Sequence, residues 1–184
     1  DRTPLQRRLP MALAETASIF CETLTVDHGL QTLEGLDRLA LLDADLSGAN
    51  QVVVDIRSRI LFETEVFARR QVGTLGVDEL CDAMGRAQAD AFGDGIDQTT
   101  AHPWMWLLKG HYYGAHFYNW PYTFGHLFGL GLFARYREDA DAFRRRYDDL
   151  LSRVGMDSAE DLAAMFDLDV TDVGFWTSSL DVLR

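Results

Sequence analysis

The chain of 184 residues has a single lysine, Lys109, and only two cysteines, Cys21 and Cys81, and each shortage excludes a kind of chemistry. One lysine argues against a conventional lysine-based catalytic scheme. The cysteines match no metal-binding spacing, so we expect buried free thiols in a reducing cytoplasm. G-x-S-x-G, H-E-x-x-H and a phosphate loop leading into Lys-Ser or Lys-Thr are also missing, and the glycines within residues 125–131 indicate close helix packing instead.

Long apolar runs and an excess of positive charge are missing as well. The most apolar run, residues 127–134, is too short to span a bilayer, and no signal peptide is visible. The net charge is −12, with 17 Lys and Arg against 29 Asp and Glu, so no basic field is available to displace counterions from a nucleic acid. We therefore expect neither a membrane nor a nucleic acid as partner.

Strand patterns are nearly absent, and helical patterns fill most of the chain. The one β-like run, Val-Val-Val at 52–54, sits within apolar residues that recur at helical spacing over 51–70. The sequence therefore predicts an all-α protein with one helical domain over residues 1–184. The other predicted features are a helix from Met11 capped at Gly29, a turn at 43–48, and helices near 32–42, 77–92, 139–154, 158–166 and after 172.

Aromatic and histidine side chains are concentrated in residues 103–136, which we call the aromatic stretch. It holds twelve of the 21 aromatic residues and three of the five histidines, His111, His116 and His126. A tyrosine hydroxyl or an imidazole inside a protein needs a polar partner or water. One interpretation is a core or subunit interface with satisfied hydroxyls. The other is a cleft wall whose neutral donors bind a peptide carbonyl or a developing oxyanion.

Two glutamates near the start of the chain form the second feature of interest. Glu15 and Glu22 are seven residues apart, which places both carboxylates on one face of a helix. A glutamate that faces solvent is the common case. Two carboxylates on a partly apolar face repel each other, so a metal ion or an arginine between them would also explain the pair.

Two long segments, MALAETASIFCETL at 11–24 and GHYYGAHFYNWPYTFGHLFGLGLFARY at 110–136, resemble one enzyme family. They are similar to the oligoendopeptidase F branch of the thimet-oligopeptidase-like zinc metallopeptidases, and the resemblance covers nearly the whole chain. It implies the multi-helix C-terminal portion of a zincin-type catalytic domain. Such an enzyme hydrolyses internal bonds of short peptides with a water that zinc activates.

The resemblance also implies roles for particular residues. Glu15 would be the third zinc ligand, and Glu22 would hold a ligand in position. His111, Tyr118 and Tyr122 would bind the substrate backbone and stabilise the tetrahedral oxyanion. Four further rings would line the substrate channel: Trp104, Trp106, Phe117 and Trp120.

The chain departs from the family pattern in one respect. The H-E-x-x-H helix, which would provide two histidine ligands and the general base, is not in the sequence. One ligand out of three does not hold zinc, so we expect an inactive fragment whose partner is the missing N-terminal part of the same protein. The alternative is a non-catalytic helical module that binds a peptide or a partner helix through residues 103–136.

Overall fold

The computed structural model describes residues 3–4, 9–114 and 117–183, and helices make up most of them. The described residues contain no β-strand, only an isolated bridge between Val154 and Asp157. The predicted all-α class is confirmed. The helices are α1 Met11–Ala14, α2 Thr16–Thr32, α3 Gly35–Asn50, a π-helical turn Gln51–Asp55, α4 Ile56–Arg70, α5 Val77–Phe92, a 3-10 turn Gln98–Thr100, α6 Met105–Leu108, α7 His111–Gly114, α8 Trp120–Glu138, α9 Ala140–Arg153, α10 Ala159–Ala164 and α11 Val173–Asp181.

The chain divides into two compact units. Unit 1 consists of Asp1–Leu46 and Phe124–Arg184, and unit 2 is Ser47–Thr123. The divisions fall within helices α3 and α8. A division into compact units does not decide how many domains the chain has, so the single helical domain over residues 1–184 stays a prediction.

Unit 1 is built around a large apolar core that is rich in phenylalanine. Phe128, Leu132 and Leu150 are fully buried in it, and they come from α8 and α9. The Phe143 ring stacks on the Phe20 ring with centroids 5.0 Å apart and packs against Phe166 at 4.8 Å. Apolar residues at helical spacing on α9 thus bury one face of that helix, as the sequence pattern predicts.

Helix α8 approaches its neighbours closely where it carries glycine. A Cβ atom at Gly129 would lie 2.8 Å from Cγ2 of Ile19 in α2. A Cβ at Gly131 would lie 2.4 Å from Cε2 of Phe175 in α11. The predicted role of these glycines in close helix packing is confirmed.

Unit 2 has a smaller apolar core between α4 and α5. Phe62 of α4 packs there with small or flexible residues of α5, namely Ala83, Met84 and Ala87. Helix α5 has the bounds that the sequence predicts, and the Glu79 side chain caps its start by accepting from the Gly76 amide at 2.9 Å. Five polar side chains of unit 2 are buried beside this core: Ser58, Arg59, Gln88, Glu63 and Asn119.

Two expectations about helix ends are wrong. The turn predicted at 43–48 is helical, because α3 continues to Asn50 and passes through the π-helical turn into α4. The carbonyl of Val52 in that wide turn accepts from the Thr123 hydroxyl at 2.6 Å. Gly29 does not end its helix either. It lies inside α2, where its missing side chain admits Leu41 of α3, whose Cδ2 would be 2.5 Å from a Cβ atom.

The expectation for the cysteines is wrong in part. Both thiols are free, but Cys21 is exposed and Cys81 is only half-buried. Phe20, the neighbour of Cys21 on α2, points into the core of unit 1 instead. None of the described helices combines the length and the apolar character that crossing a membrane requires.

Candidate functional site

His111, Tyr118 and Tyr122 come together in unit 2 and form what we call the ring cluster. The His111 ring stacks on the Tyr118 ring with centroids 5.2 Å apart and planes 15° apart. The Tyr122 ring lies 5.9 Å from His111 and 5.8 Å from Tyr118. All three side chains are half-buried, so each is partly open to solvent.

Short elements of the aromatic stretch position these rings. His111 begins the one-turn helix α7, and Tyr118 lies two residues before α8. Tyr122 is in the first turn of α8, where its amide donates to the Asn119 carbonyl at 3.2 Å. Pro121 suits this first turn, because a proline there gives up an amide that has no helical partner.

The ring cluster offers neutral hydrogen-bond donors. Among residues 9–114 and 117–183, none makes a hydrogen bond with the His111 ring or the Tyr118 hydroxyl. Imidazole and phenol can both donate without carrying a fixed charge at neutral pH. Donors of this kind that converge on one carbonyl oxygen stabilise negative charge that develops on it.

Beside the aromatic stretch, α4 and the π-helical turn carry three charged residues that we call the charge row: Asp55, Arg59 and Glu63. They are spaced by four residues, so they lie on successive turns of one helix face. Arg59 is 6% exposed and Glu63 is 4% exposed. The Arg59 guanidinium binds the Asp55 carboxylate through Nε at 3.0 Å and also through Nη2.

Each member of the charge row contacts the segment that carries the ring cluster. Oε1 of Glu63 accepts from the Phe117 amide at 2.7 Å. Nη1 of Arg59 donates to Oδ1 of Asn119 at 3.3 Å. The Asp55 carboxylate is 3.5 Å from the ammonium group of Lys109.

Tyr112 lies in the same environment, with its ring against Phe62 at a centroid distance of 5.2 Å. Burial raises the pKa of the Tyr112 phenol; the neighbouring Arg59 lowers it, and the carboxylates of Glu63 and Asp55 raise it. Several polar atoms here are buried without a partner among the described residues: the Tyr112 hydroxyl, Oε2 of Glu63, Nδ2 of Asn119 and Nε1 of Trp106. Four further atoms of this kind among the described residues belong to unit 1, in Thr16, His126, Arg135 and Tyr147.

None of the protein-family models, curated proteins and solved structures compared with this chain matches it. The likeness to oligoendopeptidases therefore remains a prediction from the quoted segments.

The two glutamates belong to unit 1, so the structure groups three of the five expected site residues in one unit and two in the other. The predicted helix from Met11 is interrupted at Glu15, which separates α1 from α2. Glu15 is exposed, and its Oε2 accepts from the Ser18 hydroxyl at 3.1 Å. Glu22 is an exposed residue of α2.

The described residues do not fit a zinc centre by themselves. They contain no group of three or more His, Cys, Asp and Glu side chains that could hold a metal ion. A zinc site built from protein needs at least three such ligands, and Glu15 would be one of them. No chemical step that passes through zinc can therefore be assigned to the described residues.

The rings expected to line a channel are spread over unit 2. Trp104 stacks on Trp106 at 6.0 Å, and Phe117 stacks on Phe67 at 5.2 Å. Trp104, Phe117 and Trp120 are exposed, and Trp106 is half-buried. His116, the remaining histidine of the aromatic stretch, lies outside the described residues.

The sequence did not point to the charge row. Charged residues spaced by four are also the usual pattern of a solvent-facing helix with surface ion pairs. The neighbouring Arg57 does form such a surface pair, with Asp90 at 3.1 Å. The burial of Arg59 and Glu63 and their contacts with Asn119 and Phe117 become visible only in the structure.

Proposed function

We propose that this chain is part of a cytoplasmic zinc-dependent oligoendopeptidase that hydrolyses internal bonds of short peptides. The chain would contribute Glu15 as the third zinc ligand, with Glu22 holding a ligand in position. His111, Tyr118 and Tyr122 would bind the peptide backbone and the oxyanion. The H-E-x-x-H segment would come from the missing N-terminal part of the same protein, and this chain alone would be inactive.

The observation that supports the proposal is the ring cluster. Its three side chains can donate hydrogen bonds without a fixed charge. Their ring centroids are 5.2–5.9 Å apart, and all three are half-buried. Such donors bind an amide carbonyl in the ground state and bind it more strongly once it becomes an oxyanion. Zinc in the complete enzyme would supply the activated water.

The test is to express the chain together with its upstream reading frame. We expect stoichiometric zinc and cleavage of a quenched fluorescent peptide of about eight residues, with Glu15→Gln abolishing both. Tyr118→Phe and Tyr122→Phe should keep the zinc and lower kcat by roughly a hundredfold where the hydroxyl binds the oxyanion. Tyr113→Phe is the control, because Tyr113 is exposed on the same segment. A protein without zinc, and indifferent to Glu15→Gln, would remove the proposal.

The second candidate is a non-catalytic helical module that binds a peptide or a partner helix. It is favoured by apolar side chains that unit 2 exposes within the aromatic stretch: Trp104, Leu107, Leu108, Tyr113 and Trp120. Exposed aromatic and aliphatic groups of this kind commonly mark interaction surfaces. Binding measured by tryptophan fluorescence would separate the two candidates. If the chain is a binding module, peptide binding should persist in the Glu15→Gln variant and in the presence of a chelator, and no cleavage should occur.

A further inference from the structure

We infer that Glu63 and Arg59 are positioning residues that hold the ring cluster in its geometry from helix α4. The inference rests on the proposed function only for its effect on peptide binding. The positional effect itself can be measured without any peptide.

Two unfavourable features meet at the hydrogen bond between Glu63 and Phe117. Glu63 is a carboxylate that is 4% exposed, and its Oε2 has no partner among the described residues. Phe117, whose amide donates to Oε1, has a φ of 52°, in the left-handed region that bulky residues rarely adopt. An apolar side chain at position 63 would avoid the desolvation cost of a buried charge. Strain and buried charge that persist together are typical of functional sites.

The two residues that α4 contacts, Phe117 and Asn119, lie on either side of Tyr118 in the sequence. Phe117 comes directly before Tyr118, and Asn119 comes directly after it. Glu63 binds the first of these and Arg59 binds the second. Helix α4 therefore holds the Phe117 backbone on one side of Tyr118 and the Asn119 side chain on the other.

The same contacts extend to the other two rings. The side-chain oxygen of Asn119 accepts from Arg59, and the backbone carbonyl of Asn119 accepts from the amide of Tyr122. Asp55 continues the charge row and pairs with Lys109, two residues before His111. Binding groups must be held to within roughly 0.5 Å for productive contact, and short one-turn elements do not provide that alone.

The test compares two replacements of Glu63. Glu63→Met has a similar volume and cannot accept from the Phe117 amide, whereas Glu63→Gln keeps a carbonyl acceptor. We expect Glu63→Met to shift the ring proton resonances of His111 and Tyr118, because their stacking at 5.2 Å changes. Binding of a short peptide should weaken by roughly tenfold. Glu63→Gln should restore both readouts to near the wild-type values.

The matched control is Glu65, two residues along the same helix. Its carboxylate is partly exposed and binds Arg69 and Arg86. Glu65→Met should leave the ring resonances and the peptide affinity unchanged. If Glu63→Met does not fold, Glu63→Asp keeps the charge, shortens the reach, and should shift the same resonances.

The outcomes separate the inference from the function on which it rests. A folded Glu63→Met variant with unchanged ring resonances would overturn the positioning role. Shifted resonances that Glu63→Gln restores, together with no peptide binding by the wild type joined to its upstream reading frame, would support positioning and remove the peptidase proposal. Shifted resonances that Glu63→Gln fails to restore would also overturn the role assigned to the hydrogen bond.

Discussion

The two units bury different kinds of side chain. The core of unit 1 is made of packed rings and aliphatic groups, such as Phe20, Phe128 and Phe143. Unit 2 has a small apolar core and places Arg59, Glu63 and Asn119 beside it. Burying a charge costs free energy that burying a ring gains. Among the described residues, the buried charged side chains, Arg59 and Glu63, belong to unit 2, so unit 2 carries a desolvation cost that the packed core of unit 1 does not.

The largest expected effect tests the packing side of this comparison. Phe128→Ala should lower the free energy of unfolding by about 3–5 kcal/mol, because Phe128 is fully buried among large rigid neighbours. Phe62→Ala in unit 2 should cost less, since six of the nine residues clustered with Phe62 are only partly buried and can relax into the space. Urea unfolding followed by circular dichroism gives both values. Leu36→Ala, at a site 83% exposed, should be nearly neutral. Equal losses for the two phenylalanines would contradict the comparison.

The next effect tests the buried charge of unit 2. Arg59→Met should lower the free energy of unfolding by roughly 3 kcal/mol, because it leaves Asp55 with Lys109 as its one cationic partner among the described residues. Arg57→Met, two residues away, removes an exposed pair with Asp90 and should cost less than about 0.5 kcal/mol. The same urea titration measures both. A small loss for Arg59→Met would mean that the charge row contributes little.

Glycine-to-alanine replacements should change stability in opposite directions at Gly131 of unit 1 and Gly85 of unit 2. Gly131→Ala in unit 1 should cost about 1–3 kcal/mol, because the new methyl group would lie 2.4 Å from Phe175. Gly85→Ala in α5 meets nothing within 4 Å and should stabilise unit 2 by up to about 1 kcal/mol through helix propensity. Thermal unfolding should therefore show a lower Tm for the first and a higher Tm for the second.

The smallest effect concerns pH and the half-buried His126 of unit 1. Burial lowers the pKa of His126 in the folded chain, and the charge of Asp45 opposes that shift only in part. The unfolded chain therefore binds a proton more readily, so the free energy of unfolding falls as the pH drops below the ordinary histidine pKa of about 6.5. His126→Met should reduce the loss of stability between pH 7.5 and 5.5. An identical pH profile in wild type and variant would show that His126 does not contribute.

Features that depend on neighbouring residues could be predicted from the sequence. The starts of α9, α10 and α11 follow Asp139, Ser158 and Asp172, whose side chains accept from helix amides in each case. These caps act within two or three residues, so the residue types alone indicate them. The apolar spacing of α5 and α9 is equally local.

Features that depend on distant contacts could not be predicted. Glycine is common at helix ends, but Gly29 lies inside α2, where Leu41 of α3 packs closely against it. The Asp, Ser and Gly residues at 43–48 favour a turn, yet the helix continues and buries Ala49. Propensity differences of about 1 kcal/mol are easily outweighed by packing.

The candidate site, too, could be predicted only in part. The resemblance of the aromatic stretch to one enzyme family indicated His111, Tyr118 and Tyr122, and the structure does bring those rings together. The charge row was not indicated, because Arg59 and Arg57 look alike in the sequence while one is buried and the other is exposed. Which of the two faces the core depends on the rotation of α4 and not on residue type.

The left-handed conformation of Phe117 has a consequence for exchange with solvent. The Phe117 side chain is exposed, yet its amide proton is held by the buried Glu63 carboxylate at 2.7 Å. Amide exchange requires that such a bond open, and the strain at a φ of 52° favours opening. The exchange rate of this one proton should therefore report how often the segment beside Tyr118 detaches from α4.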